Sequence, residues 1–157
     1  MQVGDLMAVD VVTTTPIKKL KEVDRLFSTY AISGAPVTDQ GQLVGVISQS
    51  DVVRVLYEQQ AAASEVSQYL QSPYPIPLPA LSEIARERSK IADRMVELTV
   101  ADAMTGVPVT VAPEDDISVA AQAMCDERVH RVLVTRNGEL VGILSALDLA
   151  GLLTGDL

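Results

Sequence analysis

QLVGVISQSD at residues 42–51 and ELVGILSALD at residues 139–148 are one stretch written twice, 97 positions apart. Each is an apolar run holding a glycine, closed by Ser-x-x-Asp. Working outward at that offset without a gap, the identities continue: Val3 with Val100, Asp5 with Asp102, Met7 with Met104, Thr13 with Thr110, Pro16 with Pro113, Val37 with Val134 and Gly41 with Gly138. One supersecondary unit has been duplicated. Units of this kind stack because neither buries its apolar face alone, and ligand sites on such pairs tend to lie in the groove between the copies.

The periodicity inside each copy names its elements. In the first, Val11–Thr13 is a short β-branched run closed by Pro16. Leu20, Val23, Leu26, Phe27 and Tyr30 then recur at spacings of three and four, which predicts an amphipathic helix ended by Gly34. Strands follow at 35–38 and 43–47 around the turn Asp39-Gln40-Gly41, and Ser48 is placed to cap a helix carrying Val52, Val55 and Leu56. The second copy repeats the order, with strands at 109–111, 131–135 and 140–144, a helix near 117–127 and another from Ser145. The fold class is therefore α/β (α+β), two pseudo-symmetric β-α-β-β-α units packed sheet to sheet. Unit one spans residues 1–57 and unit two 100–157. Between them lies an insertion, 58–99, in which an extended helix precedes prolines at 73, 75, 77 and 79 that force extended chain. Ser82 then opens an amphipathic helix with Ile84, Ile91, Met95 and Leu98 on one face. The insertion reads either as a spacer or as a docking surface for a partner.

Composition narrows the function. Hydrophobic residues make up 48% of the chain, nearly all aliphatic, and the net charge is −9. Most of that charge lies in residues 100–157. Such a chain repels nucleic-acid phosphates and has no basic stripe, so no nucleic acid is expected as a partner. No segment approaches the apolar length of a membrane span, and the N-terminus lacks the regions of a signal peptide. A single cysteine, Cys125, cannot form an internal disulfide, so the expected location is cytoplasmic, with no membrane partner. Cys125 is read as a packing residue beside Met124. The chain shows no metal-ligand spacing of His and Cys and no glycine fingerprint of phosphate-loop or dinucleotide folds. It is read as no enzyme, with no metal and no required cofactor. Glu114-Asp115-Asp116 is read as a first-turn cluster serving a helix dipole rather than a Mg²⁺ site.

The ordered set D-x-M, V-T-x-x-P, helix, V-T-x-x-G-x-L-V-G-h-h-S-x-x-D-h resembles the cystathionine-β-synthase (CBS) domain. Two copies resemble the tandem pair called a Bateman module, and the likeness covers residues 3–57 and 100–154. The resemblance implies a regulatory sensor that takes an adenosyl compound (AMP, ADP, ATP or S-adenosylmethionine) in the cleft between units and modulates a partner protein. The alternative is a ligand-free dimerisation or interaction module acting through its insertion.

The Ser-x-x-Asp motif has its own physical logic. A serine opening a helix offers a hydroxyl beside unpaired N–H groups, and an acid three residues on can accept from two ribose hydroxyls. Ser48 with Asp51 and Ser145 with Asp148 fit that spacing, as they fit a simple helix cap. The resemblance implies ribose binding by the acid. The copies differ where phosphate would be held, Ile32-Ser33-Gly34 in the first against Val129-His130-Arg131 in the second. The His-Arg pair resembles the phosphate-contacting residues of the regulatory gamma subunit of AMP-activated kinase; otherwise Arg131 would form a surface ion pair with Glu127 or Asp126. Thr13 and Thr110 sit in the segments that match the family's adenine slot. Lys18, Lys19 and Lys21 are read as a solvated face. The expected ligand set is thus Thr110, Val129, His130, Arg131, Ser145 and Asp148, with Thr13, Ile32, Ser33, Ser48 and Asp51 in the first copy. A homodimer is expected from apolar helix faces left uncovered, Leu20/Val23/Phe27 and Ile117/Ala120/Met124.

Overall fold

Short-range chemistry builds the elements. The computed structural model describes residues 1–60, 93 and 96–154. In chain order it contains α1 (Val3–Leu6), α2 (Leu20–Tyr30), β1 (Gly34–Asp39), β2 (Gln42–Ser48), α3 (Gln49–Gln60), α4 (Val100–Ala103), β3 (Thr110–Val111), α5 (Ile117–Asp126), β4 (Arg131–Arg136), β5 (Glu139–Ser145) and α6 (Ala146–Thr154). The strands form one mixed sheet in the order β1-β2-β5-β4-β3. Each hairpin turns through two residues of positive φ, Gln40-Gly41 and Asn137-Gly138. That conformation matches the twist of the flanking strands and is the reason an Asn-Gly or X-Gly pair sits there. The hairpins meet back to back, where Leu43 N–H donates to the Gly138 carbonyl at 3.0 Å and Leu140 N–H to the Gly41 carbonyl at 3.4 Å.

The α+β units expected from the repeat are present, with two local differences. Helix α2 ends at Ala31, which adopts the left-handed conformation with φ 51°, three residues before Gly34. Gly34 instead starts β1. The expected strand at 11–13 is reduced to one parallel bridge, Thr14 with Val37, whereas its counterpart forms β3. The reason is Pro36, which stands where the second copy has Leu133. Proline has no N–H with which to extend the ladder toward Val12.

The sequence reading missed α1 and α4, single turns covering the D-x-M segments. Their acids explain the motif. Asp5 Oδ2 accepts from Gln2 N–H at 2.9 Å, and Asp102 Oδ2 accepts from Thr99 N–H and Oγ1, both at 2.8 Å. Each acid closes the turn that precedes it.

These turns are exchanged between the copies. Val3 is buried in the second unit's core with Val111, Ala120, Val132, Val134 and Leu144. Val100 and Ala103 are buried in the first unit's core with Leu20, Phe27, Val37 and Ile47. The hydrogen bonds follow the same reciprocal pattern. Val3 N–H donates to Asp115 O and Val100 N–H to Lys18 O, both at 2.8 Å. Ala8 pairs with Ile143 of β5, and Thr105 pairs with Val46 of β2. The motif glycines make this approach possible. A Cβ on Gly45 would collide with the Thr105 carbonyl, and one on Gly142 would lie 2.5 Å from Met7 Sδ. The repeated Met and repeated Gly therefore meet across the pair rather than within a copy.

Burial corrects one premise about assembly. Leu20, Val23, Phe27, Ala120 and Met124 are all in the cores, so those helix faces are covered within the chain. Cys125 is exposed rather than packed, while its neighbour Met124 is buried. Within the insertion, the helix extension past Gln60, the proline run and, Asp93 apart, the 82–98 helix up to Met95 lie outside the described residues. Its last part is tied to α2, with Leu20 N–H donating to Leu98 O at 2.9 Å and Lys19 Nζ to Glu97 O at 2.7 Å.

Candidate functional site

The antiparallel pairing of β4 with β5 sets Arg131 opposite Ser145, so the start of one strand and the end of the other share one end of the sheet. There the Ala146 N–H donates to the His130 carbonyl at 2.9 Å, which ties the first turn of α6 to the segment before β4. Val129, His130, Arg131, Ser145 and Asp148 are thereby brought together. Thr110 joins from β3, paired with Leu133 two residues along β4. The first copy is built alike. Gly34 faces Ser48, Gln49 N–H donates to Ser33 O at 2.9 Å, and Ile32 N–H donates to Phe27 O at 3.0 Å. Ile32, Ser33, Ser48 and Asp51 cluster there, with Thr13 adjacent to the Thr14 bridge. Because Ile143 pairs with Ala8 two residues before Ser145, the second-copy cluster borders the segment that leads into the first copy.

Both Ser-x-x-Asp motifs are closed caps. Ser145 N–H and Oγ both donate to Asp148 Oδ2, at 2.7 and 2.6 Å, and Ser145 Oγ accepts from Asp148 N–H at 3.3 Å. Ser48 and Asp51 repeat the arrangement at 2.9, 2.6 and 3.2 Å. The capping reading of the motif therefore accounts for both serine hydroxyls and for one oxygen of each acid. What remains for a ligand is the second carboxylate oxygen, and here the copies part. Asp51 Oδ1 lies 3.4 Å from Arg54 Nη2. At the matching place the second copy has Gly151, and Asp148 Oδ1 has no side-chain partner among the described residues.

The basic groups divide the same way. Arg131 and His130 are exposed, and neither makes an ion pair or side-chain hydrogen bond among the described residues. The alternative pairing of Arg131 with Asp126 or Glu127 is not formed; Asp126 instead accepts from Gln122 Nε2 at 2.7 Å. Arg25 and Arg128 resemble Arg131 in making no side-chain ion pair among the described residues, whereas Arg54 and Arg136 are engaged, the latter with Glu114 at 2.7 Å. That contact draws the Glu114 carboxyl below its ordinary range. Asp115 accepts from Ala112 N–H, and Asp116 caps α5 through Ser118 N–H, which lowers its pKa. Each acid of the 114–116 trio thus has a partner of its own. Among the described residues no group of three His, Cys, Asp or Glu side chains could hold a metal ion.

Two surface grooves lie away from these clusters. One of about 400 Å³ runs along α2, lined by Thr13, Thr15, Lys18, Glu22, Arg25 and Tyr30. The other, about 530 Å³, runs along α5 past Ser118, Val119, Gln122 and Asp126. Thr13 alone of the expected ligand set opens onto either. Among the described residues no helix is long and apolar enough to cross a membrane.

The CBS domain family model matches residues 3–58 and 100–155, the two copies of the repeat. An uncharacterised protein of Methanocaldococcus jannaschii, MJ1426, is 31% identical over 159 residues, covering 93% of this chain and 90% of that one. The structure of the CBS domain of a CBS-domain-containing membrane protein from Sphaerobacter thermophilus is 31% identical, with a TM-score of 0.71, covering 97% of this chain and 87% of that one. The Arabidopsis thaliana CBS-pair protein CBSX2, solved in complex with AMP, is 21% identical, with a TM-score of 0.68, covering 98% and 97%.

Proposed function

The chain belongs to the CBS domain family in both of its halves, and on that premise we propose that it is a regulatory sensor binding an adenosyl ligand on the second-copy side of the inter-unit cleft. The observation that carries this reading is that, among the described residues, the His130 and Arg131 side chains have no partner at the sheet end where Asp148 Oδ1 has none either. A guanidinium offers a rigid fork of donors to phosphate oxygens, and an imidazole adds another. The free carboxylate oxygen suits a ribose hydroxyl, a charge-assisted bond. Val129 and Thr110 flank them where a planar base would lie. Ser145 holds the acid in place beside the ligand, its N–H and hydroxyl both donating to Asp148 Oδ2. The AMP complex of CBSX2 supports the ligand class.

The ligand panel is AMP, ADP, ATP and S-adenosylmethionine, and the acidic surface favours those of low negative charge. Binding biases the angle between units, and so the state of a regulated partner protein. The chain's own assembly is proposed as a homodimer formed through the outward faces of α2 and α5, where Tyr30 and Val119 are exposed. The exposed charges of α2 balance, Lys21 and Arg25 against Glu22 and Asp24, so the proposed contact rests on the apolar side chains.

Isothermal titration with the adenosyl panel tests the reading. AMP is expected to bind in the micromolar range, and Asp148→Ala to weaken AMP and adenosine alike. A protein that binds none of the four leaves the alternative, an interaction module with empty clefts.

A further inference from the structure

The repeat places Arg54 and Gly151 at equivalent positions, three residues after the two motif acids, and this one difference changes what each acid can accept. Asp51 is largely buried, its side chain 15% exposed. Its Oδ2 takes the N–H and hydroxyl of Ser48, and its Oδ1 faces Arg54 Nη2 at 3.4 Å. The same Nη2 donates to the Ala103 carbonyl at 3.1 Å, and Nη1 reaches both oxygens of Glu58 at 3.5 Å. Ala103 ends α4, the turn exchanged from the second copy, so Arg54 is held by its own helix and by the other unit together.

We infer that Arg54 closes the first-copy cleft by occupying the acid a ribose would need, so that the chain takes one adenosyl ligand and takes it in the second copy. A ribose diol is neutral. Arg54 takes one of the two acceptor sites on Asp51 Oδ1, so a diol seeking two bonds there must displace the guanidinium, and it returns no charge in exchange. In the second copy Gly151 carries no side chain to place beside Asp148. The neighbouring phosphate-side positions are biased the same way, with Ser33 and Gly34 where the second copy has His130 and Arg131. The inference deepens the binding reading above and rests on it, but the two fail separately.

Titration calorimetry and equilibrium dialysis of the full chain with AMP provide the test. The wild type is expected to bind one equivalent, lost in Asp148→Ala and retained in Asp51→Ala. Arg54→Gly, which copies the second unit, is expected to gain a second equivalent that a further Asp51→Ala removes. Arg54→Gln keeps a good helix former at the position and should gain it too, which guards against misfolding of the glycine variant. Gly151→Arg should weaken the wild-type equivalent at least tenfold, and Gly151→Ala should not. Two equivalents in the wild type would overturn the inference and leave the binding reading standing, as would no gain in both folded Arg54 variants. No AMP bound by the wild type would sink the binding reading; AMP binding that then appears in Arg54→Gly and disappears with Asp51→Ala would still support the closure, and its absence would overturn both.

Discussion

Replacing Gly45 by alanine tests the reciprocal packing of the two copies. Elsewhere in a strand this change should stabilise, since glycine costs roughly 0.5–1 kcal/mol relative to alanine through backbone entropy. At Gly45 the added methyl collides with the Thr105 carbonyl, a backbone atom that cannot rotate away. Relief requires the 104–106 segment to lift off β2. That movement strains the two hydrogen bonds joining Val46 and Thr105, at 3.1 and 2.9 Å. Two such bonds contribute about 1 kcal/mol each, and overpacking adds about 1–3 kcal/mol, so a net loss of about 2–4 kcal/mol is expected. At Gly142 the nearest atom is the Met7 thioether at 2.5 Å, with the Ala8 carbonyl at 3.0 Å. A methionine side chain can swing aside, so Gly142→Ala should lose only about 1–2 kcal/mol. Gly106 has nothing within 4 Å, and Gly106→Ala serves as the control, within about 0.5 kcal/mol of wild type. Urea unfolding followed by circular dichroism reads all three as midpoint shifts at constant slope. A Gly45→Ala protein as stable as the wild type, or a larger loss at Gly142 than at Gly45, would refute the exchange geometry as the source of the glycine requirement.

Three further outcomes are expected. Arg131→Ala should weaken AMP by roughly 10- to 100-fold, the loss of a charge-assisted contact of about 1.5–3 kcal/mol, while leaving adenosine affinity unchanged; equal loss for both ligands would place Arg131 away from phosphate. The carboxyls of Glu22, Asp102, Glu114 and Asp116 are all held below their ordinary values, chiefly by capping N–H groups and by Arg136. A lowered folded pKa gives stability that is present above the unfolded value, about 4, and is lost as pH falls through the folded one. The urea midpoint should therefore hold from pH 7 to 5 and drop below about pH 4, with a shallower acid limb in Asp102→Asn; an unchanged limb would discount the caps. Light scattering should give twice the chain mass at micromolar concentration, and Val119→Asp should favour the single chain; a wild-type mass of one chain would remove the proposed dimer.

The duplication, both hairpins, helices α2, α3, α5 and α6, and the capping serines were legible in the sequence because each depends on residues a few positions apart. Turn chemistry at Gln40-Gly41 and Asn137-Gly138, helical spacing at Leu20, Val23 and Phe27, and the acid three residues after each serine act locally. The lost first strand was also written locally, in Pro36, but its effect shows only once the partner strand is placed. The exchange of α1 and α4 lies beyond such reading. A Met-x segment and an LVG glycine repeat identically in both copies, so pairing within a copy and pairing across copies satisfy the same sequence pattern, and only the path of the chain between them selects the second. The site divides in the same way. Spacing placed Ser145 near Asp148 and His130 beside Arg131, but a carboxylate three residues from a serine serves equally as cap or as ribose ligand. Which oxygen is already taken, and whether an arginine already has its acid, are questions of distance in three dimensions. The tertiary structure answers them by setting Arg54 against Asp51 and leaving Arg131 without a partner among the described residues.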